Sequence, residues 1–210
     1  MKLSRGKYIA FVDADDMLLQ NALEILINAA VENNADVVHS EGYLVPIGRN
    51  GNNFSIIPET YQAPPFVDKP ALETDNLAER VQRFFNGGYI WHSWGKLFRR
   101  DFLIENRIEF VDAAAVEEMI FVFECICRAP RYVRIPAPFY VRTRRPDSFI
   151  KVLSEQLYNR NMLPLVNGVE VLARLIDTQK FFIDNPSYRT ALLNFAFGLG
   201  LTGTRNSNRI

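Results

Sequence analysis

The sequence has few cysteines and no long apolar segment. It holds two cysteines among 210 residues, and Cys125 and Cys127 lie two apart in an apolar run. That spacing fits neither a zinc site nor a disulfide framework, so we expect buried free thiols in a reducing compartment. No signal peptide opens the chain, and no apolar run approaches the roughly 20 residues that a membrane span needs. The sequence therefore predicts a cytoplasmic protein.

The sequence also lacks net charge. Lys and Arg together number 24, as do Asp and Glu, so no overall field attracts nucleic acid or an anionic surface. We therefore expect no nucleic-acid partner. The hydrophobic content of 48% over 210 residues is enough for a full core, in one domain or one large piece of a domain.

An acidic cluster follows the first apolar segment. Residues 8–12 are five consecutive apolar side chains, which predict a central strand of a parallel sheet, buried on both faces. Asp13, Asp15 and Asp16 follow at its carboxyl end, where open α/β sheets place ligand crevices. Crowded carboxylates of this kind favour a divalent cation, Mg²⁺ or Mn²⁺. The alternative is an acidic turn that caps the next helix.

The start of the chain leaves that strand without neighbours. A central strand needs hydrogen-bonding partners on both sides, and only seven residues precede it. We expect that an N-terminal part carrying the first strands of the sheet is missing, and that Met1 is an internal methionine or an artificial start. Such an edge predicts that the isolated chain is poorly soluble or dimerises through it.

Hydrophobic periodicity predicts the remaining elements. A helix over 18–33 and a strand over 35–40 form a β-α-β unit around the acidic cluster. A long irregular excursion covers 45–69, as a functional loop or as flexible decoration. The later elements are helices over 74–86 and 116–128, further helices beyond residue 150 and a disordered tail over 202–208.

The helix over 116–128 separates its charges. Glu117, Glu124 and Arg128 share one stripe and are expected in solvent, with Glu124 and Arg128 as a favourable i,i+4 pair. Glu118 lies about 100° away and points toward apolar surroundings near the helix start. Burial there would raise its pKa and the helix dipole would oppose that, which suits a general base. The alternative is a carboxylate that caps the helix.

Four motifs follow in order between residues 5 and 150. They are the strand and aspartates over 6–16, the segment over 94–100, the helix start over 116–121 and residues 140–142 with 147–148. Together they resemble the family 2 glycosyltransferases, which have a GT-A fold and use nucleotide-sugar donors; the resemblance makes 94–100 the acceptor-side motif and 140–148 the donor loop.

The resemblance implies a fold and a domain organisation. The fold class is α/β, an incomplete Rossmann-like GT-A mixed sheet flanked by helices, with a C-terminal helical extension. Residues 1–150 would form a partial catalytic domain, and 151–210 the extension with its tail. About 80 N-terminal residues of the family, its nucleotide-binding strands, have no counterpart here.

The resemblance also implies donor-side roles. Asp16 would ligate the Mn²⁺ or Mg²⁺ that bridges the nucleotide diphosphate, and Asp15 would reach the ribose or share the metal. Asp13 belongs to the same donor-binding motif, with a structural role as the alternative. Arg142 and Arg144 would hold phosphate oxygens, or form a solvated basic turn.

Catalytic and acceptor-side roles follow in the same way. Glu118 would be the catalytic base, although the family usually has Asp there. Trp94 and Lys96 would contact the acceptor. The alternatives are core packing for Trp94 and an ion pair of Lys96 with Asp15 or Glu118.

The resulting hypothesis is an inverting, metal-dependent transferase, present as a truncated chain. It would act on a cell-surface polysaccharide or lipid-linked acceptor, at the inner face of the cell membrane if the association is peripheral. The apolar run over 191–201 packs on the domain by default; pairing with another chain and lying at a membrane surface are the alternatives. The rival is a non-catalytic binding module that lacks the nucleotide-binding half.

Overall fold

The structure is a computed structural model that describes residues 3–47, 53–58, 67–113, 116–143 and 163–206. Its strands are β1 Tyr8–Ala10, β2 Met17–Leu18, β3 Val37–Ser40, β4 Gly42–Ile47, β5 Asn53–Pro58, β6 Ala71–Leu72, β7 Lys96–Arg99, β8 Tyr132–Ile135 and β9 Tyr140–Val141. Its helices are α1 Ala22–Glu32, α2 Leu77–Phe85, α3 Arg100–Glu105, α4 Glu117–Arg128, α5 Leu163–Ile176, α6 Lys180–Asp184 and α7 Pro186–Asn206.

These strands form two mixed sheets. The five-stranded sheet has the order β1-β7-β3-β8-β6, in which β3 and β8 are parallel and the other neighbours antiparallel. The four-stranded sheet has the order β2-β9-β4-β5, in which β4 and β9 are parallel. Because the chain passes from β1 into β2 through residues 11–16, the acidic cluster lies at the change from one sheet to the other.

The strand predicted over 8–12 is found as β1; its edge position agrees with the expected lack of neighbours, whereas the expected burial on both faces is wrong. This strand ends at Ala10 and lies at the edge of the described five-stranded sheet, where it pairs with β7 alone. Ile9 is its one buried residue, and Val12 is 46% exposed. An apolar run cannot distinguish an edge strand from a central one, because neighbouring strands decide which backbone groups are paired.

Two other predicted segments, the first helix and the excursion over 45–69, differ from the structure in their extent or content. Leu18 joins β2 rather than the first helix, because the backbone of Leu19 donates to Phe139 and extends the pairing of β2 with β9. The excursion over 45–69 contains a hairpin, since β4 and β5 pair antiparallel over six residues each. The turn signal at Asn50 and Gly51 lies outside the described residues.

The described chain forms two compact units. Unit 1 comprises residues 1–109 and 121–143, and unit 2 comprises residues 110–120 and 144–210. In unit 1, α1 packs through Ala22, Leu26, Ala29 and Ala30 in a core cluster that also holds Val38 of β3, Leu97 of β7 and Val133 of β8.

Unit 2 is helical in its described part. In α5, Gly168 allows the side chain of Val116 to pack closely against the helix, since a Cβ at position 168 would lie 2.5 Å from Cγ2 of Val116. The last helix continues to Asn206, so residues 202–206 are helical where the sequence predicts a disordered tail. Propagation adds one hydrogen bond per residue to a helix that is already nucleated, and this outweighs the local glycines. Within the described residues, none of the helices is both long enough and apolar enough to span a membrane.

Candidate functional site

The acidic cluster forms a turn directly after β1. The amide of Asp16 donates to the carbonyl of Asp13 at 3.1 Å, which closes the turn. Asp13 is exposed, while Asp15 and Asp16 are half-buried. Phe11 fixes the entry to the turn, because its ring meets Phe98 and Phe121 edge-on at 5.7 and 5.6 Å between centroids.

The end of β9 holds the carboxylate of Asp16. The Tyr140 hydroxyl donates to Oδ2 of Asp16 at 2.7 Å, and the amide of Thr143 donates to Oδ1 at 2.7 Å. The same hydroxyl accepts a hydrogen bond of 3.0 Å from the amide of Asp13. Burial raises the pKa of Tyr140, and the hydrogen bond to Asp16 and its charge raise it further. The hydroxyl therefore stays a donor, and the aspartate turn is tied to a segment 124 residues later.

An aromatic stack joins this turn to the segment before β7. Tyr140 lies nearly parallel to Trp94 at 4.6 Å between centroids, and His92 lies nearly parallel to Trp94 at 4.7 Å. Trp91 contacts His92 at 4.1 Å, and Tyr43 meets Trp94 edge-on at 5.1 Å. Because the Tyr140 hydroxyl holds Asp16, the stack and the aspartate turn form one packed assembly.

The predicted phosphate ligand Arg142 lies on this assembly. Its Cζ is 5.8 Å from the ring centroid of Trp94 and 5.9 Å from that of Tyr43, within the range of cation–π attraction. Its amide donates to the carbonyl of Leu44 at 2.9 Å. The aromatic contacts hold a half-buried guanidinium beside the end of β9. Arg144, the other predicted phosphate ligand, lies outside the described residues.

Both residues predicted to contact the acceptor are buried. Trp94 is 2% exposed and Lys96 is 1% exposed. Nζ of Lys96 donates to the carbonyls of Ile90 and His92, each at 2.6 Å. Trp94 and Lys96 therefore pack on the buried side of the segment before β7. The more exposed rings of that segment are those of the half-buried Trp91 and His92.

The predicted base lies in unit 2, in the first turn of α4. Glu117 and Glu118 are both half-buried. Burial raises the pKa of Glu117, and the charge of Glu118 raises it further. Exposure therefore does not separate the two glutamates, contrary to the expectation that Glu117 is in solvent.

The expectation for Glu124 is corrected as well. It is 3% exposed and pairs with Arg128 at 2.8 Å, and burial raises its pKa to about 6. The i,i+4 pair that the sequence predicts is thus confirmed, with Glu124 buried and Arg128 half-buried. Arg128 also donates to the carbonyl of Asn106 at 2.9 Å, which fixes the guanidinium over this carboxylate.

The donor set suits Mg²⁺ or Mn²⁺ only in part. Within the described ranges, no group of three or more His, Cys, Asp or Glu side chains is arranged to hold a metal alone. Mg²⁺ is usually bound by one or two carboxylates together with substrate phosphates, so Asp15 and Asp16 fit that mode. A hydrogen bond to each oxygen of Asp16 orients the carboxylate and leaves a further lone pair on each.

Comparison with known proteins identifies the family. The family model described as glycosyl transferase family 2 matches residues 1–106, half of the chain. The chain belongs to glycosyl transferase family 2. The matched residues contain the aspartate turn, the rings of Trp91, His92 and Trp94, and Lys96, so the family assignment and the geometry concern the same part of the molecule.

Curated relatives are glycosyltransferases by name. The chain is 27% identical over 173 residues to the cholesterol galactosyltransferase of Borreliella burgdorferi, covering 81% of this chain and 46% of the relative. It is 25% identical over 143 residues to the poly(ribitol-phosphate) beta-N-acetylglucosaminyltransferase TarP of Staphylococcus aureus, covering 67% and 38%. The chain thus spans less than half the length of these relatives.

A solved structure shows the fold. Residues 1–349 of S. aureus TarS in complex with UDP-GlcNAc superpose with a TM-score of 0.52 at 16% identity, covering 97% of this chain and 67% of that chain. This confirms the α/β class with mixed sheets flanked by helices that the GT-A resemblance implies.

Sequence reasoning left two parts of the site without a role. Tyr140 and Thr143 hold Asp16, whereas the sequence places Tyr140 at a strand end and in the donor-loop motif without connecting it to Asp16. The Tyr140 hydroxyl has a role in the site only because it donates to Asp16. Neither periodicity nor a short motif links two residues so far apart in the sequence. The available signal is weak, since a buried tyrosine usually needs a partner for its hydroxyl.

Proposed function

We propose that this chain carries the catalytic part of an enzyme that transfers a sugar from a nucleotide-sugar donor to an acceptor hydroxyl. The aspartate turn carries this proposal, because it lies in the family-matched residues and its carboxylate Asp16 is oriented by Tyr140 and Thr143. Two relatives named as sugar transferases and a TarS structure that contains UDP-GlcNAc support it.

On the donor side, Asp15 and Asp16 would hold Mn²⁺ or Mg²⁺, with Asp13 in the same turn. A bound divalent ion would neutralise charge on the departing diphosphate. Arg142 is a pre-oriented cation for phosphate oxygens, because cation–π contacts restrict its guanidinium. Arg144 follows two residues later and is proposed to assist on the same side.

The proposed chemistry inverts the anomeric configuration. Glu118 accepts the proton of the acceptor hydroxyl as its oxygen attacks the anomeric carbon. The bond from that carbon to the diphosphate oxygen breaks, and the leaving nucleotide retains the electron pair. A single in-line displacement of this kind reverses the configuration at the attacked carbon.

The proposed acceptor is a saccharide or a lipid-linked saccharide of the cell envelope. Trp91 and His92 offer ring surfaces of the type that contacts sugars, supported from below by Trp94 and Lys96. One relative is named for a cholesterol acceptor and another for poly(ribitol phosphate), which supports an acceptor at the membrane or wall. The enzyme would then work at the inner face of the cell membrane.

Donor turnover tests the proposal directly. The chain with Mn²⁺ is expected to release nucleoside diphosphate from one member of a panel that includes UDP-GlcNAc, UDP-galactose and GDP-mannose. Asp15→Asn should abolish the release, and the exposed Asp177→Asn, in unit 2, should not. Failure of every donor both to turn over and to bind in calorimetry would contradict the proposal.

The edge of the five-stranded sheet predicts self-association, and we propose a dimer through β1. Since the described residues supply no partner to the outer side of β1, its backbone groups can pair with a second copy. Light scattering is expected to show a mass that rises with concentration. Val12→Lys places a charge beside the edge and should shift the population to monomer. A wild-type chain that is monodisperse and monomeric at all concentrations would refute edge pairing.

A further inference from the structure

The segment before β7 is held by two buried cations. We call residues 88–95 the tryptophan loop, because it contains both tryptophans of the chain. Lys96 donates to the carbonyls of Ile90 and His92, each at 2.6 Å, and Nη2 of Arg134 donates to the carbonyl of Gly88 at 3.2 Å. Three alternate carbonyls of the tryptophan loop thus accept hydrogen bonds from side chains of the sheet.

These cations belong to a row of basic residues across three adjacent strands. Lys96 of β7 pairs in register with His39 of β3, and His39 pairs in register with Arg134 of β8. Residues in register project to the same face of a sheet, so the three side chains lie side by side. Their exposures are 1%, 1% and 4%. Burial lowers the pKa of His39, and the charges of Lys96 and Arg134 lower it further.

The buried cations of this row need strong hydrogen bonds to offset the cost of their burial. Burying an ammonium group costs several kcal/mol unless strong hydrogen bonds compensate, and an apolar side chain of similar volume would suit the centre of a sheet better. Arg134 is compensated by Glu41, which it contacts through two nitrogens, and by Glu73 at 3.5 Å. Two hydrogen bonds of the Lys96 ammonium go to carbonyls of the tryptophan loop.

The loop geometry depends on these bonds. Gly95 has φ +72°, a conformation that glycine adopts without strain, and it brings the chain from Trp94 into β7. With Ile90 and His92 held by Lys96 on one side of this turn, the ring of His92 lies nearly parallel to Trp94. Loss of Lys96 would leave the carbonyls of Ile90 and His92 without these donors, so that the part of the loop that carries Trp91 and His92 would be held less firmly.

We propose that Lys96 is a positioning residue, which fixes the tryptophan loop so that Trp91 and His92 form a pre-organised surface and Trp94 stacks on Tyr140. The link of this surface to acceptor binding rests on the proposed function. The positioning itself is a property of the unliganded chain and is tested without donor or acceptor.

The tryptophan signals in fluorescence and near-UV circular dichroism report on the tryptophan loop alone, because both tryptophans of the chain, Trp91 and Trp94, lie in it. Lys96→Met is expected to lose most of the tryptophan near-UV circular dichroism and to shift the emission to longer wavelength. Lys96→Arg keeps a cation with several donors and should recover part of both signals. Lys180→Met, at an exposed lysine in unit 2, should match the wild type.

A second control separates positioning from general destabilisation. Asp36 is a buried carboxylate of unit 1 that holds Arg99 at 2.7 Å and the amide of Arg131 at 2.9 Å. Asp36→Asn is expected to lower the melting temperature while the tryptophan signals stay at wild-type values. A folded Lys96→Met variant with a wild-type tryptophan spectrum would overturn the proposal.

If Lys96→Met does not fold, a measurement on the wild-type chain still tests the proposal. In NMR of the chain labelled with ¹⁵N and ¹³C, the Lys96 ammonium should exchange slowly with water. It should also show scalar coupling through its hydrogen bonds to the carbonyl carbons of Ile90 and His92. A fast-exchanging ammonium without such coupling would overturn the proposal, whatever the outcome of the donor assays.

Discussion

Glu118→Gln is expected to lower kcat for sugar transfer by about 10²- to 10⁴-fold while the affinity for the donor stays nearly unchanged. A general base acts on the acceptor proton only as the new bond forms, so its loss is felt in the transition state. Glutamine preserves the size of the side chain and removes its basicity. The measurement is steady-state kinetics of the active enzyme, with donor affinity from calorimetry.

Glu117→Gln is the matched control, because Glu117 lies one residue earlier in the same helical turn and is equally half-buried. Its effect on kcat should be small. Burial raises the pKa of Glu117, so a large loss there with a small loss at Glu118 would move the base by one position. Equal small losses from both variants would return Glu118 to the role of a helix cap.

Glu118→Asp asks whether the site is built around the longer side chain. If this protein descends from an enzyme with Asp at position 118, Glu118→Asp should retain or gain activity. A site built around Glu would lose activity, because the carboxylate retreats by one methylene from the acceptor proton.

Asp16→Asn is expected to abolish the stabilisation of the chain by Mn²⁺ with UDP. A ligand that binds only the folded state raises the free energy of unfolding by about 2.7 kcal/mol at 100 times its Kd. The wild type should therefore melt at a higher temperature with both present. Asparagine is nearly isosteric with aspartate but removes the negative charge that would hold the cation. Differential scanning calorimetry measures the change.

Two variants sharpen this result. Tyr140→Phe keeps every carboxylate and removes the hydroxyl that orients Asp16, so the thermal shift should shrink without disappearing. Asp177→Asn, at an exposed carboxylate paired with Arg189 in unit 2, should leave the shift intact. A full shift in Asp16→Asn would remove Asp16 from the proposed metal site and leave it only as the partner of Tyr140 and Thr143.

The periodic elements were predictable because their signal is local. The apolar run in α4 and the short apolar run of β3 give the element type directly, and the structure places both within two residues of expectation. The pair of Glu124 and Arg128 was predictable for the same reason, since i,i+4 spacing fixes neighbours on a helix. Burial of Glu124 was not predictable, because it depends on the elements packed around α4.

The candidate site likewise has features that the local sequence predicts and features that depend on packing. Four motifs in sequence order gave the family, and the aspartates could be placed at a strand end from the apolar run before them. The sequence shows Trp94 and Lys96 in a motif and suggests contact with a ligand. The structure buries both and gives them carbonyls and aromatic rings as partners.

By itself, the sequence determined the family, the α/β class and the acidic cluster after the first strand, because each rests on short motifs and apolar runs that are visible without the tertiary structure. Tertiary structure alone decided that β1 pairs with β7, and that Tyr140 holds Asp16 across 124 residues of sequence. It also decided that Lys96, His39 and Arg134 share one face. Strand order and register set these contacts, and both arise from the packing of the whole unit.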